Sequence, residues 1–349
     1  MTKRTKAILT TVAKFGIVFA LVAYVLLSGR LDLDQIKNMQ DRTYAMMGAA
    51  TLLLIPFVGW IRYWVLLRAQ GIPLGLFKAF QLQLIGIFFN TLMPGAVGGD
   101  VLKAYYVATD EGRDRKPQAV MTVLIDRIIG MMGLFLVLGV AAPLAWSMLS
   151  ADRKVVTVTV TMTAIYGGVM AFCIFLVIPR FRERRRAWLS ERCGGKSVWG
   201  KIARGINGMD QGIQEMVTHP WATVFCLGIS AVGHIVTITA FYFFGQALGI
   251  TDVTYRQFAV LAPIALAANA FSFLPMGGAG AGEFFASVVF GGAAGLEPWV
   301  GGTVLFMWRL SLYIPAPLGL VWFLTHRQDV KRAQDAAKAG LEETCVESA

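Results

Sequence analysis

The chain has 349 residues, of which 56% are hydrophobic and only 15% charged, and its mean hydropathy is +0.61. This usage excludes an ordinary soluble domain, whose apolar share is about 45–50%, and leaves a polytopic membrane protein. The net charge of +11 does not signal nucleic acid, because the basic residues cluster between apolar runs, where they set topology and meet anionic lipid.

A membrane crossing needs about 20 mainly apolar residues, since the hydrocarbon core is about 30 Å thick and a helix rises about 1.5 Å per residue. Six runs qualify: 7–27, 44–67, 118–146, 155–179, 220–249 and 300–325. The first follows Lys3, Arg4 and Lys6 but precedes no small-residue cleavage site, so it reads as a retained anchor. Two further apolar regions, 77–109 and 258–292, are cut near their middles by "NTLMPGAVGGD" (90–100) and "FSFLPMGGAGAGE" (271–283). Between Val101 and Thr109 only about 9 residues, or roughly 14 Å of helix, remain after the first cut. That is too short to cross, so each broken region reads as a hairpin that leaves by the face it entered.

Positive charge supplies an independent test of this topology. With both broken regions re-entrant and both termini cytoplasmic, the cytoplasmic segments hold 21 of the 32 Lys and Arg. The opposite loops hold 6 and the membrane interior 5, so the assignment is self-consistent. The expected fold is an all-α polytopic membrane protein of six full transmembrane helices plus two re-entrant helical hairpins. Units 44–146 and 220–325 then form an inverted repeat, joined through a basic cytoplasmic segment at 180–219. Eight ordinary kinked helices are the plainer alternative. The stretch "RFRERRRAWLSER" (180–192) suits the cytoplasmic leaflet, and 198–218 has the three-and-four spacing of an amphipathic helix. Residues 1–325 make the membrane domain, and 326–349 a cytoplasmic tail.

Irregular backbone at membrane depth must be buried in protein or line a watery cavity. Pro94 and Pro275 end the first half-helices by removing a donor. Gly95, Gly98 and Gly99, then Gly277, Gly278, Gly280 and Gly282, permit positive φ and close approach by a ligand. The second half-helices should start near Asp100 and Glu283, with their positive ends facing the cavity. Asp100 suits an N-cap, and Glu283 suits a first turn. No strand precedes these glycines and no Gly-Lys-Ser/Thr follows, so they are not nucleotide loops.

Apart from Lys14, which can snorkel to the surface, the ionisable residues at depth are Arg62, Asp100, Lys103, Asp126, Arg127, Glu283 and Arg309. Four cations against three acids leave one positive charge over, which suits an anionic head group; structural ion pairs between helices are the other reading. Asp126 and Arg127 point about 100° apart on a helix and need not share a partner. Asn90 and Asn269 precede the two breaks and either enter the cavity or bridge backbone groups freed there. His234, alone within its span, reads as an interior group. The four cysteines, Cys173, Cys193, Cys226 and Cys345, lack paired spacing, so neither a disulfide framework nor a metal site is expected, and no cofactor is implied.

Three segments, "PGAVGGDVLKAYYV", "LIDRIIGMMGL" and "LPMGGAGAGEFFA", resemble the signature stretches of the lysylphosphatidylglycerol synthase transmembrane-region family, also called flippase-like. The resemblance covers about residues 10 to 325. It implies a multi-pass bacterial inner-membrane protein that moves lipids between leaflets. Pro94, Gly95, Gly98, Gly99 and Asp100 match the family's first element, and Lys103 stands where a basic residue is usual. Asp126–Arg127 replaces the commoner Glu-Arg. In the second element Met276 intrudes after Pro275, while Gly277, Gly278, Gly280 and Glu283 keep the pattern. Arg309 matches the arginine of the last core span. Members that synthesise lysylphosphatidylglycerol carry a large aminoacyl-transferase domain after the membrane part. Nothing of that size follows Thr325, so translocation without synthesis is expected.

The reading is therefore a lipid translocator and not an enzyme, acting on an anionic phospholipid or polyprenyl-linked lipid. Arg62, Lys103, Arg127 and Arg309 are the expected phosphate contacts, and Asp100, Asp126 and Glu283 the balancing acids. The expected partners are membrane lipids, with a homodimer left open. A non-transporting scaffold for envelope lipid synthesis is the alternative. A lipid-modifying membrane enzyme ranks behind it, because no aspartate-rich metal motif and no nucleophile with a placed base occurs.

Overall fold

The computed structural model describes residues 26–92, 98–110, 116–144, 218–270 and 279–325, with scattered positions in 19–24 and 153–168. The described residues are helical and include no strand. In chain order they form α1 (Leu33–Lys37), α2 (Arg42–Leu52), α3 (Ile55–Ala69), α4 (Leu76–Leu92), α5 (Gly98–Asp110) and α6 (Lys116–Leu144), then α7 (Pro220–Ala247), α8 (Tyr255–Ala270), α9 (Ala281–Ala294), α10 (Pro298–Leu312) and α11 (Ala316–Thr325).

Among the described residues, four stretches are long and apolar enough to cross a membrane: Arg42–Ala69, Gln118–Leu144, Pro220–Ala247 and Pro298–Thr325. They match four of the six runs expected from sequence to within a few residues. The runs 7–27 and 155–179, the segment 180–219 and the tail fall outside the described residues, apart from the scattered positions and residues 26–27 and 218–219. The first crossing joins α2 to α3 through an irregular step at Leu53 and Leu54, and Pro56 sits in the first turn of α3, where its missing N–H costs nothing. Asp41 starts this crossing by accepting from the Thr43 amide at 2.7 Å.

The arms of the two broken regions are short, and the one after the first cut is longer than the 9 residues counted from sequence. α4 and α5 have 17 and 13 residues, α8 and α9 have 16 and 14. At about 1.5 Å per residue none reaches the ~30 Å of a bilayer core. Within each region the two arms pack against each other. The neighbours also correspond: α5 packs on the following crossing α6 as α9 packs on α10. Each first arm docks on the far half, α4 on α11 and α8 on α6.

Close backbone approach holds these contacts, as expected where lipid supplies no hydrophobic force between helices. A Cβ on Gly99 would fall on the Gly86 carbonyl, joining α5 to α4, and one on Gly319 would fall on the Leu84 carbonyl, joining α11 to α4. The largest apolar cluster gathers α7, α8, α9 and α10 with the end of α6. Large side chains such as Leu144, Val140 and Trp221 stay exposed on the outside, which suits a surface facing hydrocarbon.

The order of the ends can be read directly. Leu66 and Ala69, at the end of α3, cluster with Cys226 and Ala222 at the start of α7. At the other end of α7, the Ala247 carbonyl accepts from the amides of Gln40 and Asp41 at 2.9 and 3.3 Å. Thus α4 departs from the end of the bundle where α7 begins, and α8 from the end where α7 finishes.

Candidate functional site

Two clusters of charge stand at the two interruptions, and their construction is parallel. In the first, the Arg127 guanidinium of α6 reaches Asp100 Oδ2 through both Nε and Nη2 at 2.6 Å. Lys103 lies one turn after Asp100, with Nζ 3.7 Å from Asp100 Oδ1. The same ammonium donates to Gln83 Oε1 at 2.8 Å and lies 4.9 Å from the centre of the Tyr63 ring. One carboxylate therefore serves two cations. Lys103 and Asp100 are buried, whereas the Arg127 side chain is 48% exposed.

Asp126, one residue before Arg127, faces another way, as helical geometry demands. It accepts from Arg62 Nε at 2.7 Å, and Arg62 Nη1 donates to Ser230 Oγ at 3.0 Å. This second pair ties α3, α6 and α7 together at depth.

In the second cluster, Arg309 of α10 donates through Nε to Glu283 Oε1 at 2.7 Å and through Nη2 to Glu283 Oε2 at 3.3 Å. That bidentate pair is the strong form of a charge-assisted hydrogen bond. Arg309 Nη2 also donates to Asn269 Oδ1 at 3.0 Å, and Glu283 Oε2 accepts from the Gly280 amide at 2.7 Å. The Arg309 side chain is only 5% exposed. Among the described residues these four cations meet three acids, and Lys103 and Arg127 share Asp100.

Several expectations are refined. Asp100 is not an N-cap: α5 starts at Gly98, so Asp100 is its third residue, inside the first turn. The acceptor for the free Gly99 amide is instead Asn90 Oδ1, at 2.9 Å, reaching across from α4. Asn90 Nδ2 lies 3.5 Å from Asp100 Oδ1. Gly98 and Gly99 are helical and not at positive φ. Gly99 instead makes room for α4, and Gly282 makes room for the Asn269 amide, where a Cβ would fall on Oδ1. Close approach is thus by protein. Gly280, at φ 83°, does adopt the conformation that favours glycine. Pro94, Gly95, Pro275, Gly277 and Gly278 lie outside the described residues.

Sequence reasoning missed Gln83 and Ser230. Gln83 was visible as a polar residue within an apolar run, but Ser230 carries no such signal. His234 behaves as expected of an interior group, with Nε2 2.9 Å from the Gly130 carbonyl oxygen.

The comparisons with known proteins bear on the whole chain. It is 23% identical over 325 residues to a UPF0104 membrane protein of the archaeon Methanothermobacter thermautotrophicus, covering 87% of this chain and 91% of that relative. No solved structure matches. The family described as the lysylphosphatidylglycerol synthase TM region matches residues 12–319. The chain belongs to this membrane-embedded family.

Proposed function

We propose that the protein carries a lipid with an anionic phosphate head group from one leaflet to the other. The head group passes through a polar path between the two interrupted helix pairs while its acyl chains stay in the bilayer. The observation that carries this reading is that the Arg127 side chain stays 48% exposed at the first interruption while the Asp100 and Lys103 beside it are buried. Charge at membrane depth costs at least a few kcal/mol, so an arginine left half-exposed there fits a place where an anionic head group is met. The other cations are sealed against protein, and in this reading Arg62, Lys103 and Arg309 hold the frame.

The same reading takes α4–α5 and α8–α9 as re-entrant hairpins and the units 44–146 and 220–325 as an inverted repeat. Three features support it: the short arms, the corresponding neighbours of the two halves, and the departure of α4 and α8 from opposite ends of the bundle. Access then alternates as one unit rocks against the other. Both termini are cytoplasmic in a bacterial inner membrane, and the protein works without catalysis.

The test is translocation of fluorescent phosphatidylglycerol in proteoliposomes. Wild-type protein should equilibrate the label between leaflets, and Arg127→Ala should lose that activity while staying folded. Transport by Arg127→Ala at the wild-type rate removes the proposed site. A scaffold predicts instead that deletion phenotypes are restored by the charge-neutralised variant.

A further inference from the structure

We propose that Arg30 is a second anion-receiving residue, placed against the first two turns of α9 to meet the phosphate of a lipid head group. It precedes α1, at the end of the bundle where α7 finishes and α8 begins. Arg30 Nη1 donates to Ser287 Oγ of α9 at 2.9 Å, and its Cζ lies 4.6 Å from the centre of the Phe284 ring. Both partners are neutral. Among the described residues no carboxylate pairs with Arg30, whereas Arg62, Lys103, Arg127 and Arg309 each face one. A guanidinium held by a hydroxyl and a ring keeps its full charge for a ligand, and its planar fork matches two phosphate oxygens.

The surroundings hold this cation in position. The Asp32 amide donates to Thr303 Oγ1 of α10 at 3.1 Å. A Cβ at Gly302 would fall on the Arg30 carbonyl oxygen and lie 3.3 Å from the Glu283 carbonyl oxygen. The segment therefore crosses α10 against bare backbone, directly beside Glu283, and Phe284 follows Glu283 in sequence. Arg30 stands just outside the sealed Glu283–Arg309 pair, as the half-exposed Arg127 stands beside the other interruption. The two give a head group one partly exposed cation beside each interrupted pair. This inference rests on the translocation reading for the source of the phosphate, but the anion chemistry does not.

The experiment is binding of radiolabelled dihexanoyl phosphatidylglycerol to full-length protein in phosphatidylcholine nanodiscs, without any flux. Arg30→Gln should bind about fivefold more weakly, the equivalent of the ~1 kcal/mol expected for one arginine near a membrane surface. Arg30→Lys should fall between. Ser287→Ala releases the tether and keeps the charge, so it should lose clearly less binding than Arg30→Gln. Competition by inorganic phosphate would assign the site to the free anion, and its failure to compete would assign it to the lipid head group; either supports the anion site. Wild-type affinity in Arg30→Gln overturns the proposal, and so does equal loss in Ser287→Ala and Arg30→Gln, which marks Arg30 as a tether. A wild-type protein that shows Arg30-dependent binding yet moves no lipid contradicts the translocation reading alone.

Discussion

Asn269 Oδ1 accepts from Arg309 Nη2 at 3.0 Å, and so holds the guanidinium that pairs with Glu283. Asn90 occupies the matching place ahead of the first break and turns the same atom to the Gly99 amide at 2.9 Å. In each half an asparagine oxygen thus lies against the glycine that precedes the acid. At the second break it restrains the arginine, and at the first it accepts from a helix-start amide instead. The two clusters share parts but bond them differently.

The difference predicts unequal costs for the same substitution. Asn269→Ala removes a hydrogen bond to a buried charge and should destabilise by about 1.5–3 kcal/mol. Asn90→Ala removes the acceptor of one helix-start amide and should cost about 1 kcal/mol. Thermal unfolding of the purified variants in one nanodisc composition measures both. Equal losses would mean that the two asparagines do the same work.

Glu283→Gln leaves the Arg309 guanidinium buried without its counter-ion and should cost about 3–5 kcal/mol. Adding Arg309→Gln should recover a large part of that loss, because the orphaned charge is gone. A double-mutant cycle read by unfolding reports the coupling. Additive losses would show that the pair does not form.

Gly99→Ala drives a methyl into the Gly86 carbonyl, which as backbone cannot swing aside. The loss should be about 1–3 kcal/mol, with lowered yield of folded protein. Gly228→Ala, on α7 with nothing within 4 Å of the added Cβ, should be neutral or gain up to about 1 kcal/mol from helix propensity. Melting temperatures in the same lipid compare the two sites.

What the sequence made legible follows from what the bilayer enforces. Four crossings could be read because hydrocarbon thickness fixes their length and composition, and the two interruptions because proline and glycine mark them. The charge balance was visible in a count. The partners were not, because Asp126 and Arg127 are adjacent in sequence yet serve Arg62 and Asp100 on different helices, a matter of tertiary packing. The role of Asn90 was half legible: its place before a break suggested backbone bridging, but only the fold brings the Gly99 amide to it. Arg30 carried no signal, since a lone arginine in a loop reads as one more topology charge until Ser287 and Phe284 come to meet it.

The central claim of the proposed function is that the half-exposed charge of Arg127 moves lipid. Its most direct measurement is transport by Arg127→Cys in a background with Cys173, Cys193, Cys226 and Cys345 replaced, before and after reaction with a cationic or a neutral methanethiosulfonate. The account predicts that Arg127→Cys is inactive, that the cationic adduct restores a substantial part of translocation, and that the neutral adduct restores none. Full transport by unmodified Arg127→Cys, or equal recovery with both reagents, would contradict it.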